Sequence, residues 1–302
     1  MITIPDRSEL FQEKIEEFLG DHLLQGPYEG AVIGISGGLD SAVAAALCRR
    51  VLPPDKIRLF FLPERDSDPS SEREARVLAR HLGLELKTLD LTPALQALDL
   101  YKNPAARLVK NASLNRLLYR FTGWLGGDDP FKLGLGPRPS AAIRTATSFY
   151  RSKHRLRMTC LFYQAEFLGY AVVGALNRSE LLTGFFVYHG DDAAHLAPLL
   201  PLYKTEVFYL ARRLQIPQSL LEKPPSPDLI PGLDDKFILG LDYELLDQIL
   251  WALEEGYEEK RIADILDISP DRVSSLQRLL QRSRETKIPH YPRELRQVNN
   301  YC

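Results

Sequence analysis

Six consecutive residues, Ser36-Gly37-Gly38-Leu39-Asp40-Ser41, carry types and spacing that could do chemistry. Two hydroxyls and a carboxylate flank a pair of glycines. An apolar run, residues 31–35, precedes them, and a run of small apolar residues, 42–47, follows. Strand, glycine turn, helix is the geometry that sets backbone N–H groups and the positive end of a helix against an anion. The glycines let the backbone approach that anion and reach positive φ. Asp40 would repel a phosphate on its own, so a carboxylate here makes sense with Mg²⁺ between the two. No lysine follows the glycines, so the stretch is neither the GxxxxGK[ST] phosphate loop nor GxGxxG. An ordinary strand-to-helix turn is the plainer alternative, and the glycine pair alone does not choose. The whole word SGGLDS behind a strand favours phosphate binding.

Such a turn needs a sheet behind it. Residues 57–62, 84–91 and 170–176 read as three more buried strands, and 71–82 as a helix closed by Gly83. The β-α-β-α-β order predicts an α/β fold, a Rossmann-like doubly wound parallel sheet with right-handed crossovers. Ligands in such sheets lie at the carboxyl ends of the strands. That puts the polar loop 63–71 and Asn177-Arg178-Ser179-Glu180 beside the turn. Residues 8–24 carry a helical apolar stripe with Ser8 as N-cap, and 141–168 should be one long helix bearing Arg144, Arg151, Lys153, Arg155 and Arg157. A solvated face is the usual meaning of such a charge run, although cations beside a nucleotide site reach phosphates. Residues 105–121 read as a basic helix, and 123–139, rich in Gly and Pro, as loop. Residues 223–240 look irregular, 204–214 helical, and the tail helical over 243–254, 258–266 and 270–283. The expected organisation is one domain over 1–250 with a loop-rich insertion near 100–140, and a helical C-terminal extension of it over 251–302.

The 302 residues suffice for a sizeable core, and a net charge of −2 gives no bulk drive toward nucleic acid or membrane. Cys48, Cys160 and Cys302 form no CxxC or metal spacing, which suits a reducing compartment. No signal peptide and no apolar run near the ~20 residues of a membrane span is visible, so a cytoplasmic protein is expected. His189 and His195 lack a third ligand at metal spacing. Residues 261–282 have a helix-turn-helix look, but a DNA-binding reading would need a basic recognition face.

SGGLDS resembles the signature of the N-type ATP pyrophosphatases, enzymes that attack the α-phosphate of ATP and release pyrophosphate. Further blocks resemble the NAD synthetases within that group. Arg155-Leu156-Arg157-Met158 is similar to their ARLRM block, and residues 172–186, VVGALNRSELLTGFF, to VVGTGNKSELLTGYF. His189-Gly190-Asp191 matches KYGDGG in part, Lys204-Thr205-Glu206-Val207 resembles KTxV, and residues 225–247 resemble PSADLxPGQxDExxLGxxYxxLD. The blocks stand in family order over residues ~31–250.

The resemblance implies amide synthesis: ATP adenylates the carboxylate of nicotinic acid adenine dinucleotide, pyrophosphate leaves, and ammonia attacks to give NAD and AMP. It implies that Ser36, Gly37, Gly38, Asp40, Ser41, Arg157, Lys204 and Ser226 bind ATP. Asp40 and Glu180 would hold Mg²⁺, with Asp40, Lys204 and Asp191 as the catalytic set. Asp191, Arg151 and Lys287 would serve the acceptor. Each has a bland counterpart: Glu180 as a helix N-terminal carboxylate, Arg157 and Lys204 as solvated cations, Ser226 as a turn residue, Asp191 as a loop acid. Free ammonia, or ammonia from a separate protein, is the expected nitrogen source, because glutamine-dependent members carry an added glutaminase domain. The family also suggests a homodimer. The chain departs from the pattern at Ala175-Leu176, Asp192-Ala193, His195, Arg151, His154, Leu233 and Lys236. Those positions lie toward the acceptor, so a related enzyme adenylating another carboxylate is the alternative.

Overall fold

The computed structural model describes residues 2–108, 112–126, 129–136, 138–225 and 233–286. Four short strands, β1 Ala31–Gly34, β2 Ile57–Phe61, β3 Leu86–Thr88 and β4 Ala171–Val173, form one parallel sheet in the order β3-β2-β1-β4. The central strand β1 pairs Ile33 with Leu59 on one side and Val173 on the other. This is the α/β sheet that the apolar runs predict. The edge strand β3 is shorter than the run 84–91, and Lys87 and Thr88 at its end are exposed.

Alternation along the strands separates two cores. Ala31, Ile33, Leu59 and Val173 face α1 Ser8–Leu23, α2 Leu39–Val51 and α3 Pro69–Leu82, with Leu19, Leu47 and Leu78 fully buried among them. Each such side chain contributes about 1.5–3 kcal/mol. Val32, Phe60 and Val172 face the long helix α6 Ala141–Leu168, which has the expected bounds. Ser8 is the first residue of α1 rather than its cap: Arg7 holds that place, and the Asp6 carboxylate accepts from Ser8 N.

The insertion is helical over 123–126 and 130–134, where loop is expected. It holds α4 Ala112–Gly126 and α5 Pro130–Gly134. Asp129 explains the break between them: its carboxylate accepts from Phe131 N and from Tyr119 Oη at 2.6 Å, with Pro130 at the first helical position. Helices α7 Arg178–Thr183 and α8 Lys204–Arg213 follow β4, and α9 Asp235–Leu239 stands where irregular chain is expected, capped by Asp234. The tail forms α10 Tyr243–Glu254, α11 Glu259–Leu266 and α12 Pro270–Thr286. Leu246, Ile249, Val273 and Leu276 share a core with Ile2 and Ile4. The helix-turn-helix-like pair α11–α12 is thus part of this core, with α12 packed on α7. No helix among the described residues is long and apolar enough to cross a membrane.

Candidate active site

The glycine turn is knitted by its own hydroxyls. Ser36 N donates to Ser41 Oγ, Gly38 N to Ser36 Oγ, and Ser41 Oγ to the Gly38 carbonyl, all within 3.1–3.2 Å. Gly37 lies at φ +75°, and a Cβ there would meet the Ser71 carbonyl oxygen at 2.3 Å, so only glycine fits. Gly38 caps α2 and has no side chain to satisfy the first amides of the helix. Uncapped first amides of a helix are suited to an anion.

Beside the turn, charge of one sign accumulates. Asn177 closes a capping box with Glu180 at the start of α7 and gives its Nδ2 to Asp40 Oδ1 at 3.1 Å. Lys204, first residue of α8, pairs through Nζ with Asp40 Oδ2. Asp247 on α10 joins the two helix starts. It accepts from Ser179 Oγ, Thr205 N and Thr205 Oγ1, and Ser179 Oγ accepts from Lys204 N at 2.9 Å. Burial, then the charge of Asp40, pushes the Glu180 carboxyl well above the usual range. Burial likewise raises Asp235 and Asp247 to about 6. Lys204 loses solvation, but Asp40 and Glu180 more than restore its affinity for a proton.

Three carboxylates, Asp40, Glu180 and Asp235, therefore surround one ammonium. One Asp235 oxygen accepts from Tyr243 Oη at 2.9 Å; the other is buried without a hydrogen-bond partner. Surplus negative charge and an orphaned hard oxygen fit a divalent cation. Among the described residues no three His, Cys, Asp or Glu side chains form a complete metal cage. The fit is to an ion that takes one or two carboxylates from protein and the rest from phosphate and water, the habit of Mg²⁺.

A cavity of about 1170 Å³ opens from this end toward α4 and α5. Arg157 lines it and donates Nε to the Leu62 carbonyl at 3.2 Å. Arg151 also lines it and donates to the Gly134 carbonyl of α5 at 3.2 Å; burial weakens its hold on its proton. Asp191 accepts from Val187 N at 2.6 Å and lies 3.8 Å from His154 Nδ1. Burial raises Asp191 to about 6, and burial beside Arg157 and Lys153 lowers His154 to about 3. His195 turns away from this group: its Nδ1 accepts from Val172 N, and its ring packs between Tyr28 and Phe162.

Ser36, Gly38, Asp40, Ser41, Arg151, Arg157, Glu180, Asp191 and Lys204 thus all line one cavity, and Gly37 shapes its turn. Ser226 and Lys287 lie outside the described residues. Sequence reasoning passed over Asp235, Tyr243 and Asp247 as site residues. Their only signal was their place in the block 225–247.

A sequence profile of the NAD synthase family matches residues 11–118 and 143–288. The chain belongs to the NAD synthase family. Its relatives in that family include the NH(3)-dependent NAD(+) synthetase of Thermotoga neapolitana, 38% identical over 273 residues, which are 90% of this chain and 92% of the relative. The enzyme of the same description from Methanosarcina mazei is 32% identical over 93% of this chain and 96% of its own. Two solved structures share the fold. NMN synthetase from Francisella tularensis has a TM-score of 0.69 at 24% identity, covering 94% of this chain and 98% of its own. NH3-dependent NAD synthetase from Campylobacter jejuni has a TM-score of 0.67 at 23% identity, with the same coverage of both chains. The family profile skips residues 119–142, the stretch that begins inside α4 and supplies α5.

Proposed function

We propose that this chain is an ammonia-dependent NAD synthetase, an ATP-consuming ligase that forms a carbon–nitrogen bond. The observation that carries the reading is the glycine turn facing an acid-rich cluster across a single large cavity, in a chain with family relatives along nine-tenths of its length. The acceptor carboxylate of nicotinic acid adenine dinucleotide attacks the α-phosphorus of ATP. The α–β bridging P–O bond breaks, and pyrophosphate leaves toward Ser36, Gly37, Gly38 and Ser41. Ammonia then adds to the acyl carbon of the adenylate, loses a proton, and expels AMP. Donors fixed before the reaction are the efficient way to stabilise charge that develops on phosphate. Lys204, held by Asp40 and at the start of α8, and Arg157, held at Leu62, are such donors. Ser226 joins the ATP set.

Asp40 and Glu180, with Asp235 behind them, are the side chains that would hold Mg²⁺. The ion would supply charge neutralisation between the phosphates. Asp191 and Arg151, with Lys287, are assigned to the acceptor end. Asp191 is the catalytic acid there, its raised carboxyl able to take up a proton near neutral pH. The chain acts as a homodimer in the cytoplasm. Support for the dimer is an apolar stripe on α6, where Tyr163 and Phe167 are 65% and 78% exposed one turn apart. Ammonia itself is the nitrogen donor, supplied free or by a separate protein that releases it.

The test is a turnover assay with nicotinic acid adenine dinucleotide, Mg-ATP and ammonium. NAD, AMP and pyrophosphate should appear in equal amounts. Pyrophosphate release with a different carboxylate and none with this dinucleotide would reject the acceptor.

A further inference from the structure

The reading above leaves one cation at the glycine turn without a role. Lys223 follows the short helix Gln218–Leu221 and lines the same cavity. Its Nζ donates to the Gly37 carbonyl at 3.0 Å and to Ser71 Oγ at 3.1 Å. Both partners are neutral. Asp68 in the same cavity wall acts on this ammonium by its charge but forms no direct ion pair with it among the described residues. Lys204 differs, since Asp40 already offsets its charge.

Placement adds to chemistry. The turn and the start of α3 are pressed together at Gly37 and Ser71, and Lys223 spans that seam. An ammonium has three N–H groups, and two are engaged. The adjacent start of α2 has no side-chain cap. A partly buried cation bonded directly to neutral oxygens, with Asp68 acting on it only at longer range, keeps a desolvation cost that an anion in direct contact would remove. The glycine turn also lacks the lysine that follows the glycines in GxxxxGK[ST] loops.

We infer that Lys223 supplies that missing lysine from far along the chain, giving its third N–H to the β- or γ-phosphate of ATP and then to pyrophosphate. This rests on the reading that ATP binds at residues 36–41. Gly37 and Ser71 aim the ammonium; the phosphate is its counterion.

Titration calorimetry with Mg-pyrophosphate and with Mg-ATP tests this on the whole chain, with thermal unfolding run in parallel. Lys223→Met should weaken both ligands by tenfold or more and flatten the salt dependence of binding. Lys223→Arg should recover most of the loss. If Lys223→Met binds pyrophosphate within twofold of wild type, the inference falls while the ATP site stands, whatever happens to the melting temperature. A Lys223→Arg as weak as Lys223→Met overturns it too, because charge would not be what matters. If the wild type binds neither ligand, both the inference and the ATP reading fail. Wild type that binds pyrophosphate yet makes no NAD rejects only the acceptor.

Discussion

Among the described residues two lysines are buried, Lys153 and Lys204, and their surroundings differ in charge balance. Lys153 on α6 is fully buried, with Nζ 2.8 Å from Glu64 Oε1 and 3.0 Å from Asp66 Oδ2. Arg65 pairs with Asp66 as well, and Tyr101 Oη donates to Glu64. Two cations meet two carboxylates, and none of Lys153, Glu64 or Asp66 lines the cavity. Burial opposes ionisation of Asp66, yet the Arg65 hydrogen bond and the Lys153 charge hold its carboxyl below the usual range. Lys204 instead meets three acids, two of them pushed upward and one with an oxygen left over. A balanced cluster is finished and can serve only the fold. An unbalanced one is completed by something from outside, which is what a binding site is.

That contrast can be broken most directly at Lys153. Lys153→Met leaves Glu64 and Asp66 buried without their ammonium, which should cost about 3–5 kcal/mol of unfolding free energy. Urea denaturation reads the loss, and the molecules that remain folded should keep their kcat. If kcat collapses while the fold survives, the cluster is part of the site and the distinction fails. Next in size is Lys204→Met. Removing one pre-placed cation from phosphoryl chemistry should lower kcat/KM for ATP by about 10²–10³-fold. Initial-rate kinetics under saturating acceptor would measure it. A loss below fivefold would mean Lys204 is held for structure, like Lys153.

The sheet, the long helix and the turn were legible because each follows a local rule. Residues 31–35 alternate into two cores, Gly83 and Gly169 close their helices in the left-handed region, and residues 36–41 sit at a strand end. What stayed hidden depends on partners distant in sequence. Nothing near Lys153 announces Glu64, 89 residues away. Nothing near Asp247 announces that its carboxylate ties together the starts of α7 and α8. The insertion misled for another reason. Its glycines suggest loop, but Asp129 and Pro130 start a new helix immediately, and Tyr119 is paired with that cap.

Asp247 tests the border between the two kinds of cluster, since it is fully buried and touches Ser179 and Thr205 rather than Lys204 Nζ. Its carboxyl is raised by burial from 3.8 to about 6, so the folded chain holds that proton more tightly than the unfolded chain. Stability from this group is complete below about pH 4 and is lost as pH rises toward 6. The window is worth about 3 kcal/mol. Melting temperatures across pH 4–6.5 should therefore fall less steeply in Asp247→Asn than in wild type. Parallel curves would show that hydrogen bonds from Thr205 and Ser179 outweigh burial.

Arg151 shows the opposite imbalance and the smallest expected effect. It lies two residues before Lys153 on the same helix, yet among the described residues no carboxylate pairs with it. Its one hydrogen bond goes to the Gly134 carbonyl, and Arg155 nearby adds to its surplus positive charge. An acid-rich end with more carboxylates than cations and a basic wall with more cations than carboxylates, in one cavity, fit Mg-ATP on one side and a phosphate- or carboxylate-bearing acceptor on the other. Arg151→Asn should then raise the KM for the dinucleotide about tenfold, one full charge-assisted contact, and leave the KM for ATP within twofold. Arg151→Lys should recover little, because the planar fork that bridges Gly134 and an anion is lost. An equal rise in both KM values would mean that Arg151 merely anchors α5, and that the basic wall belongs with Lys153 among the finished clusters.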